Sequence, residues 1–186
     1  ALPTRDICCY PTQAGLIAAM TDLVRSRWEE AARHGSPRLL FSAHGLPQKI
    51  VDRGDPYPRQ VRQTTEAVVA ALNMPGLDWT ICYQSRVGPV KWIGPSTEEE
   101  LIRAGADKVP VVLVPVAFVS EHSETLVELD VEYRHLAERV GIPAYVRVGA
   151  VSSHPAFIAG LAALVTDPEA GSGLACAPAC PCTEES

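Results

Sequence analysis

The sequence predicts an α/β fold in which a four-stranded parallel sheet is flanked by helices. Two observations lead to this prediction. Strand-like and helix-like stretches alternate in the order βαβαβαβα behind a leading helix. The run over 109–118 is apolar nearly throughout, as expected for a parallel strand that is covered on both faces. Successive βαβ units then bring all strands into one sheet.

The elements follow one another along the chain with clear start and stop signals. Apolar residues at helical spacing predict a leading helix over about 11–34. A first strand over 38–43 follows, and a Pro-rich loop then leads to a helix through 61–72. The second strand covers 79–83, and a helix with capping boxes runs from Ser96 to about Gly105. The third strand covers 109–118 and is followed by a helix from Ser120 or Ser123 to about Val140. The last elements are a strand over 144–148 and a helix from Pro155 to Val165.

Composition limits the class of protein. The 186 residues suffice for one domain with a sizeable core, and 47% hydrophobic with 20% charged residues is ordinary for a soluble globular protein. A net charge of −6 does not favour nucleic acid as a partner. We find neither a segment of membrane-spanning length nor a signal peptide, although a start at Ala1 without Met suggests a processed or truncated chain.

We divide the chain into three segments. Residues 1–36 form a leading segment with the first helix, which belongs to the same fold as the α/β domain over 37–166. In the tail, 167–186, helical and strand periodicity disappears and the composition shifts to Gly, Ala, Pro and Cys.

His44 is the first candidate site residue. It ends the first strand, and Gly45 and Pro47 then turn the backbone. Ligands of open parallel sheets bind beyond the carboxyl ends of the strands, so this placement favours a functional histidine over a structural one. An imidazole at that edge can transfer protons or contact a metal.

A row of carboxylates forms the second candidate site. Glu124, Glu128 and Glu132 recur at i, i+4 and i+8, and therefore share one face of a predicted helix. A solvated surface is the usual explanation of such a run, but like charges at this spacing destabilise a helix, and the first cation is Arg134. Such a row can carry protons or a divalent cation, and His122 can reach the same pocket.

Polar residues also end the second strand, in Gln84, Ser85 and Arg86. Trp92 follows between two Gly/Pro breaks. It is either a loop anchor or a wall for a flat aromatic ligand, and the spacing favours neither.

The six cysteines do not resemble a disulfide framework and fit a cytosolic protein with thiolate ligands. Cys82 falls inside the second strand and is interpreted as a core residue. Three closely spaced thiols in the tail can hold zinc or an iron–sulfur cluster with a fourth ligand from elsewhere, whereas incidental cysteines are the alternative. The candidate ligands are Cys176, Cys180 and Cys182, with Cys9, or Cys8 in its place, as the fourth.

Several of these stretches together resemble the ferrochelatase family. The match runs from about Tyr10 to Val165 and is similar to the carboxyl-terminal portion of an iron–sulfur-containing bacterial ferrochelatase. It is carried by the segments 40–47, 53–58, 83–89, 92–95, 114–120 and 121–130.

The resemblance implies a Rossmann-like chelatase domain that lines one side of a porphyrin cleft. The implied reaction inserts ferrous iron into protoporphyrin IX, which is the last step of haem synthesis. A non-catalytic iron–sulfur or tetrapyrrole-binding fragment, and a related chelatase for another tetrapyrrole or metal, are the alternatives.

The same resemblance implies roles for individual residues. His44 and Glu124 are the catalytic pair, contact the substrate iron and face each other across the porphyrin. Glu128 and Glu132 form an acidic relay behind Glu124. The residues implied near the cleft are Gln84, Ser85, Arg86, Trp92 and His122, and the tail cysteines correspond to ligands of a 2Fe–2S cluster.

Partners and location follow from the resemblance as well. Protoporphyrin IX and ferrous iron are the expected substrates, and the amino-terminal half of the enzyme, which this sequence lacks, is the expected partner. The expected location is cytoplasmic. Peripheral contact with the inner membrane and homodimer formation stay open.

Overall fold

The computed structural model describes residue 7 and residues 9–167. The strands are β1 (Arg38–His44), β2 (Asp78–Gln84), β3 (Val111–Pro115) and β4 (Tyr145–Arg147). They form one four-stranded sheet in the order β2-β1-β3-β4, and all neighbours are parallel. The predicted four-stranded parallel sheet is therefore confirmed.

Helices cover both faces of this sheet. They are α1 (Ala14–Ala32), α2 (Gln48–Val51), α3 (Tyr57–Leu72), α4 (Thr97–Asp107), a π-helix (Glu124–Glu132), α5 (Tyr133–Arg139) and α6 (Pro155–Thr166). Within the described residues, no helix is both long and apolar enough to cross a membrane.

The core is divided by the sheet into two layers. Alternate residues of β1 point to opposite faces, so Leu39 and Phe41 pack with α1, α3 and α6, whereas Leu40 packs with Leu101 of α4 and Leu129 of the π-helix. Both faces of β1 and β3 are buried, which explains why β3 is apolar throughout and β1 contains the apolar run 39–41.

Helix α4 confirms one sequence signal and corrects another. Ser96 and Glu99 form the predicted capping box, with each side chain accepting a hydrogen bond from the other residue's backbone N–H. Gly105 does not end the helix, which continues to Asp107 and ends at Lys108 in a left-handed conformation. Gly105 instead allows close packing, because a Cβ there would lie 2.5 Å from the carbonyl oxygen of Val140.

The predicted helix from Ser120 or Ser123 to Val140 differs from the structure in type. Residues Glu124–Glu132 are π-helical, and Tyr133–Arg139 is α-helical. The backbone N–H of Tyr133 donates to the carbonyl of Glu128, five residues earlier. The third strand is also shorter than predicted, since the chain leaves the extended conformation at Ala117, where φ is +67°.

Candidate active site

The carboxyl edge of the sheet brings the predicted strand-end residues together. Strands β1 and β2 pair along their whole length, and His44 lies directly opposite Gln84 at the last position. The π-helix passes this edge and contributes its own acidic residues. The site is therefore built from two adjacent strand ends and one helix.

His44 and Glu124 form the centre of the site. The Nδ1 atom of His44 lies 3.3 Å from Oε2 of Glu124, and the two side chains are 40% and 45% exposed. This is an ion-pair distance when the imidazole is protonated. Both groups are accessible from outside the domain, so a substrate can reach them without unfolding of the sheet edge.

The two members of the pair contact each other directly. The resemblance implies that His44 and Glu124 face each other across a tetrapyrrole, and this stays a prediction that would require the two side chains to separate. A flat ring between them needs about 7 Å, twice a van der Waals contact, whereas their closest atoms are 3.3 Å apart. At this distance the two groups can act together on one atom of a ligand.

Neighbouring aromatic residues hold His44 in place. The hydroxyl of Tyr57 donates a 3.0 Å hydrogen bond to the backbone carbonyl of His44. Burial raises the pKa of Tyr57 to about 12, so this phenol stays a donor at neutral pH. The ring of Phe118 contacts His44 edge-on at a centroid distance of 6.5 Å and lies 5.3 Å from His122.

His122 is close to the pair but is oriented towards the backbone. Its Nδ1 accepts a 3.2 Å hydrogen bond from the N–H of Glu124, and its carbonyl accepts one from Leu126. His122 therefore orders the start of the π-helix next to the candidate catalytic carboxylate.

The segment after β2 is arranged by polar contacts. Gln84 is only 1% exposed, and its side chain bridges Ser42 and Glu128. Ser85 has a positive φ of +58°, which is uncommon for a residue with a side chain. Arg86 approaches Glu99 at 3.7 Å.

Trp92 fixes the loop that packs against the turn after His44. Its indole N–H donates a 3.1 Å hydrogen bond to the carbonyl of Val87, and its backbone pairs with Pro47. A Cβ on Gly45 would lie 3.3 Å from the Trp92 ring. These contacts fit a loop anchor, and a role as a ligand wall stays a prediction.

The three glutamates of the predicted row have different surroundings. Glu124 approaches His44, and Glu128 accepts hydrogen bonds from Gln84, Ser85 and Tyr133. Glu132 is exposed and lines a polar cavity of about 370 Å³ together with Glu98 and His135.

Sequence reasoning did not identify Arg147 as part of the site. At the end of β4, its guanidinium forms two 2.6 Å hydrogen bonds with Glu121 and lies 3.2 Å from Asp130. Burial alone would raise the pKa of Glu121, but the hydrogen bonds from Arg147 and from the N–H of Ala150 lower it to about 2. The only sequence signal was a lone Arg in a short apolar strand.

The described residues offer one candidate ligand for an iron–sulfur cluster. Cys9 is half-buried, whereas Cys82 is fully buried with a pKa that burial raises to about 12, as expected for a core thiol. Within 9–167, no three His, Cys, Asp or Glu residues are grouped as a metal site. The other predicted ligands, Cys8, Cys176, Cys180 and Cys182, lie outside the described residues.

The parallel sheet and the paired imidazole and carboxylate at its carboxyl edge define an α/β domain of the chelatase type. A multi-domain protein from Deinococcus radiodurans, described as structurally similar to chelatases, has the same fold. The TM-score is 0.54, the identity is 19%, and the alignment covers 88% of this chain and 31% of that protein.

The family model for ferrochelatase matches residues 1–168, and the chain belongs to the ferrochelatase family. It is 57% identical over 159 residues to a ferrochelatase of Caulobacter vibrioides, covering 86% of this chain and 46% of the relative. For a ferrochelatase of Wolbachia pipientis wMel the identity is 51% over 161 residues, covering 87% and 50%. The chain thus spans about half the length of the curated relatives it matches.

Proposed function

We propose that this chain carries the catalytic pair of an enzyme that inserts ferrous iron into protoporphyrin IX to form protohaem. Membership of the ferrochelatase family supports the reaction class. The observation that carries the assignment is the contact between His44 and Glu124 at the carboxyl edge of the sheet.

Metal insertion requires two pyrrole N–H protons to leave the macrocycle. His44 is the base that accepts such a proton, since a neutral imidazole has a ring nitrogen with a free lone pair. The imidazolium formed is stabilised by the carboxylate of Glu124, 3.3 Å away. Because both side chains are partly exposed, Glu124 can pass this proton to water, which frees His44 to accept the second pyrrole proton, and Glu124 can also contact the incoming iron.

The remaining half of the enzyme is part of this proposal. The relatives are about twice as long as this chain, and we propose that their amino-terminal half completes the porphyrin cleft. Because this chain spans only about half the length of these relatives, there is a second candidate function, in which this chain alone binds a tetrapyrrole without turnover. We also propose that the protein is located in the cytoplasm. Peripheral membrane contact and homodimer formation stay open.

A 2Fe–2S cluster is a separate proposal. Three cysteines among the last eleven residues and a half-buried Cys9 support it. No step of the reaction above depends on the cluster.

The proposed reaction is tested by anaerobic insertion of Fe²⁺ into protoporphyrin IX, followed by the loss of porphyrin fluorescence and the appearance of haem absorption. The full chain is assayed alone and with the amino-terminal half of a close relative. Turnover in either sample supports the proposed enzymatic activity. Porphyrin binding without turnover in both samples supports the second candidate, a tetrapyrrole-binding fragment. Absence of both binding and turnover would refute the proposed function.

A further inference from the structure

The carboxylate of Glu128 accepts four hydrogen bonds at the site. Its Oε1 atom accepts hydrogen bonds from the N–H of Ser85 and from the hydroxyl of Tyr133, both at 2.7 Å. Its Oε2 atom accepts from the Ser85 hydroxyl at 2.5 Å and from Nε2 of Gln84 at 3.1 Å. A carboxylate has about four lone-pair sites, so these donors occupy its accepting capacity.

The donors themselves have little freedom to turn away. The Oε1 atom of the buried Gln84 amide accepts a 2.8 Å hydrogen bond from Ser42, which directs the NH₂ group towards Glu128. Ser42 in turn lies 2.8 Å from the hydroxyl of Thr97 on α4. The polar chain behind Glu128 is therefore fixed from the interior of the domain.

The two other donors depend on Glu128 in different ways. Ser85 keeps a strained backbone with φ of +58°, and this conformation directs both its N–H and its hydroxyl to Glu128. Burial, and then the negative charge of Glu128, raise the pKa of Tyr133, so the phenol stays protonated and continues to donate.

We infer that Glu128 is a positioning residue, which fastens the strand-end segment 84–86 to the π-helix and keeps Glu124 beside His44. A relay must release its partners each time it takes up a proton or a cation, and Glu128 would lose up to four hydrogen bonds in doing so. Glu124 then exchanges protons directly with solvent, in keeping with its 45% exposed side chain. This role differs from the relay that the sequence predicted for Glu128, and its kinetic consequences depend on the proposed function.

Substitutions separate the two roles because they differ in what they require of residue 128. Positioning requires the length and all the acceptors of Glu, so both Glu128→Asp and Glu128→Gln disrupt it. A relay requires a titratable carboxylate, so Glu128→Asp retains it and Glu128→Gln does not. Tyr133→Phe removes one donor and keeps the ring, which provides a milder variant that folds if the others do not.

The first measurement is structural and needs no activity. In ¹H–¹⁵N spectra of the full chain, we expect all three variants to move the amide resonance of Ser85 and to lower the unfolding midpoint. Glu132→Gln, at the exposed neighbour in the row, is the matched control and should change neither. An unmoved Ser85 resonance in all three variants would overturn the proposal.

The second measurement is kinetic and uses the complete enzyme. For Glu128→Asp and Glu128→Gln alike, we expect kcat to fall by about ten- to a hundredfold, because small displacements of reacting groups cost that much. The KM for Fe²⁺ and the pH profile of the residual activity should stay as in the wild type. A Glu128→Asp enzyme with wild-type kcat, or a Glu128→Gln enzyme with a raised metal KM, would refute positioning. If the wild type inserts no iron, the proposed iron insertion fails, and the Ser85 resonance still shows whether Glu128 holds the segment 84–86.

Discussion

Arg147 holds Glu121 through two parallel hydrogen bonds of 2.6 Å, at the entrance to the π-helix that carries Glu124. The same guanidinium lies 3.4 Å from the carbonyl of Thr125 and 3.2 Å from Asp130. Its side chain is only 8% exposed. One cation from the last strand therefore fixes both the loop before the π-helix and the middle of that helix.

Replacing Arg147 tests this anchoring. Arg147→Met fills a similar volume but leaves Glu121 without its charged partner, and we expect a loss of about 3 kcal/mol in the free energy of unfolding. Urea unfolding at pH 7 measures the loss. The control is Arg62→Met, which removes an exposed pair with Glu66 at 3.7 Å and should cost less than about 0.5 kcal/mol. Equal losses in the two variants would show that Arg147 does not anchor the helix.

The same pair predicts how stability depends on acid. The pKa of Glu121 is lowered to about 2 in the folded chain, and an unfolded Glu titrates near about 4.3. A lowered carboxyl pKa stabilises the fold above the unfolded value, and this contribution is lost as the pH falls from about 4.3 towards about 2. Urea midpoints measured from pH 6 to pH 3 should therefore fall less steeply in Glu121→Gln than in the wild type. Parallel curves would contradict the assignment.

His44 is the residue whose loss should affect chemistry most. We expect His44→Ala to lower the rate of iron insertion by at least about a hundredfold, since a positioned general base contributes that much or more. Porphyrin binding, followed by quenching of protein fluorescence, should persist because the aromatic residues near the site, Phe118 and Trp92, are unchanged. Normal turnover by the variant would remove His44 from the mechanism.

The position of this site could be predicted because its signals are local. A strand pattern that stops at His44, and another that stops beside Gln84, place both residues at one edge once the strands are parallel. The helix after Ser120 could be predicted, but its π-helical form could not. The buried residues Thr125 and Leu129 recur at a spacing that an α-helix and a π-helix both satisfy.

Contacts between side chains that are far apart in the sequence could not be predicted. Nothing near Arg147 or Glu121 indicates that the two meet, because their contact depends on how β4 lies beside β3. The direct contact between His44 and Glu124 could likewise not be predicted, since it depends on the path of the loop from β3 to the π-helix.

The cluster proposal predicts a spectroscopic result. Chain purified without oxygen should show the visible absorption of a 2Fe–2S centre and lose it on Cys180→Ser. Cys9→Ser and Cys8→Ser then identify the fourth ligand, because only the variant that removes a ligand should bleach the protein. Cys82→Ser is the control, as this thiol is fully buried in the core. A colourless wild type with full iron insertion would count against the cluster.

Gly45 is required because two backbone segments approach each other closely at the site. Its N–H donates a 2.9 Å hydrogen bond to the carbonyl oxygen of Gln84, and a Cβ would lie only 2.9 Å from that same oxygen. Gly45→Ala must push β1 and β2 apart next to His44, so we expect a loss of about 1–3 kcal/mol in the free energy of unfolding. Gly149→Ala is the control, because its Cβ would meet its nearest atom at an ordinary 3.6 Å. Equal urea midpoints for the two variants would mean that the ends of β1 and β2 can move apart at little cost. The geometry of the turn after His44 would then not depend on glycine.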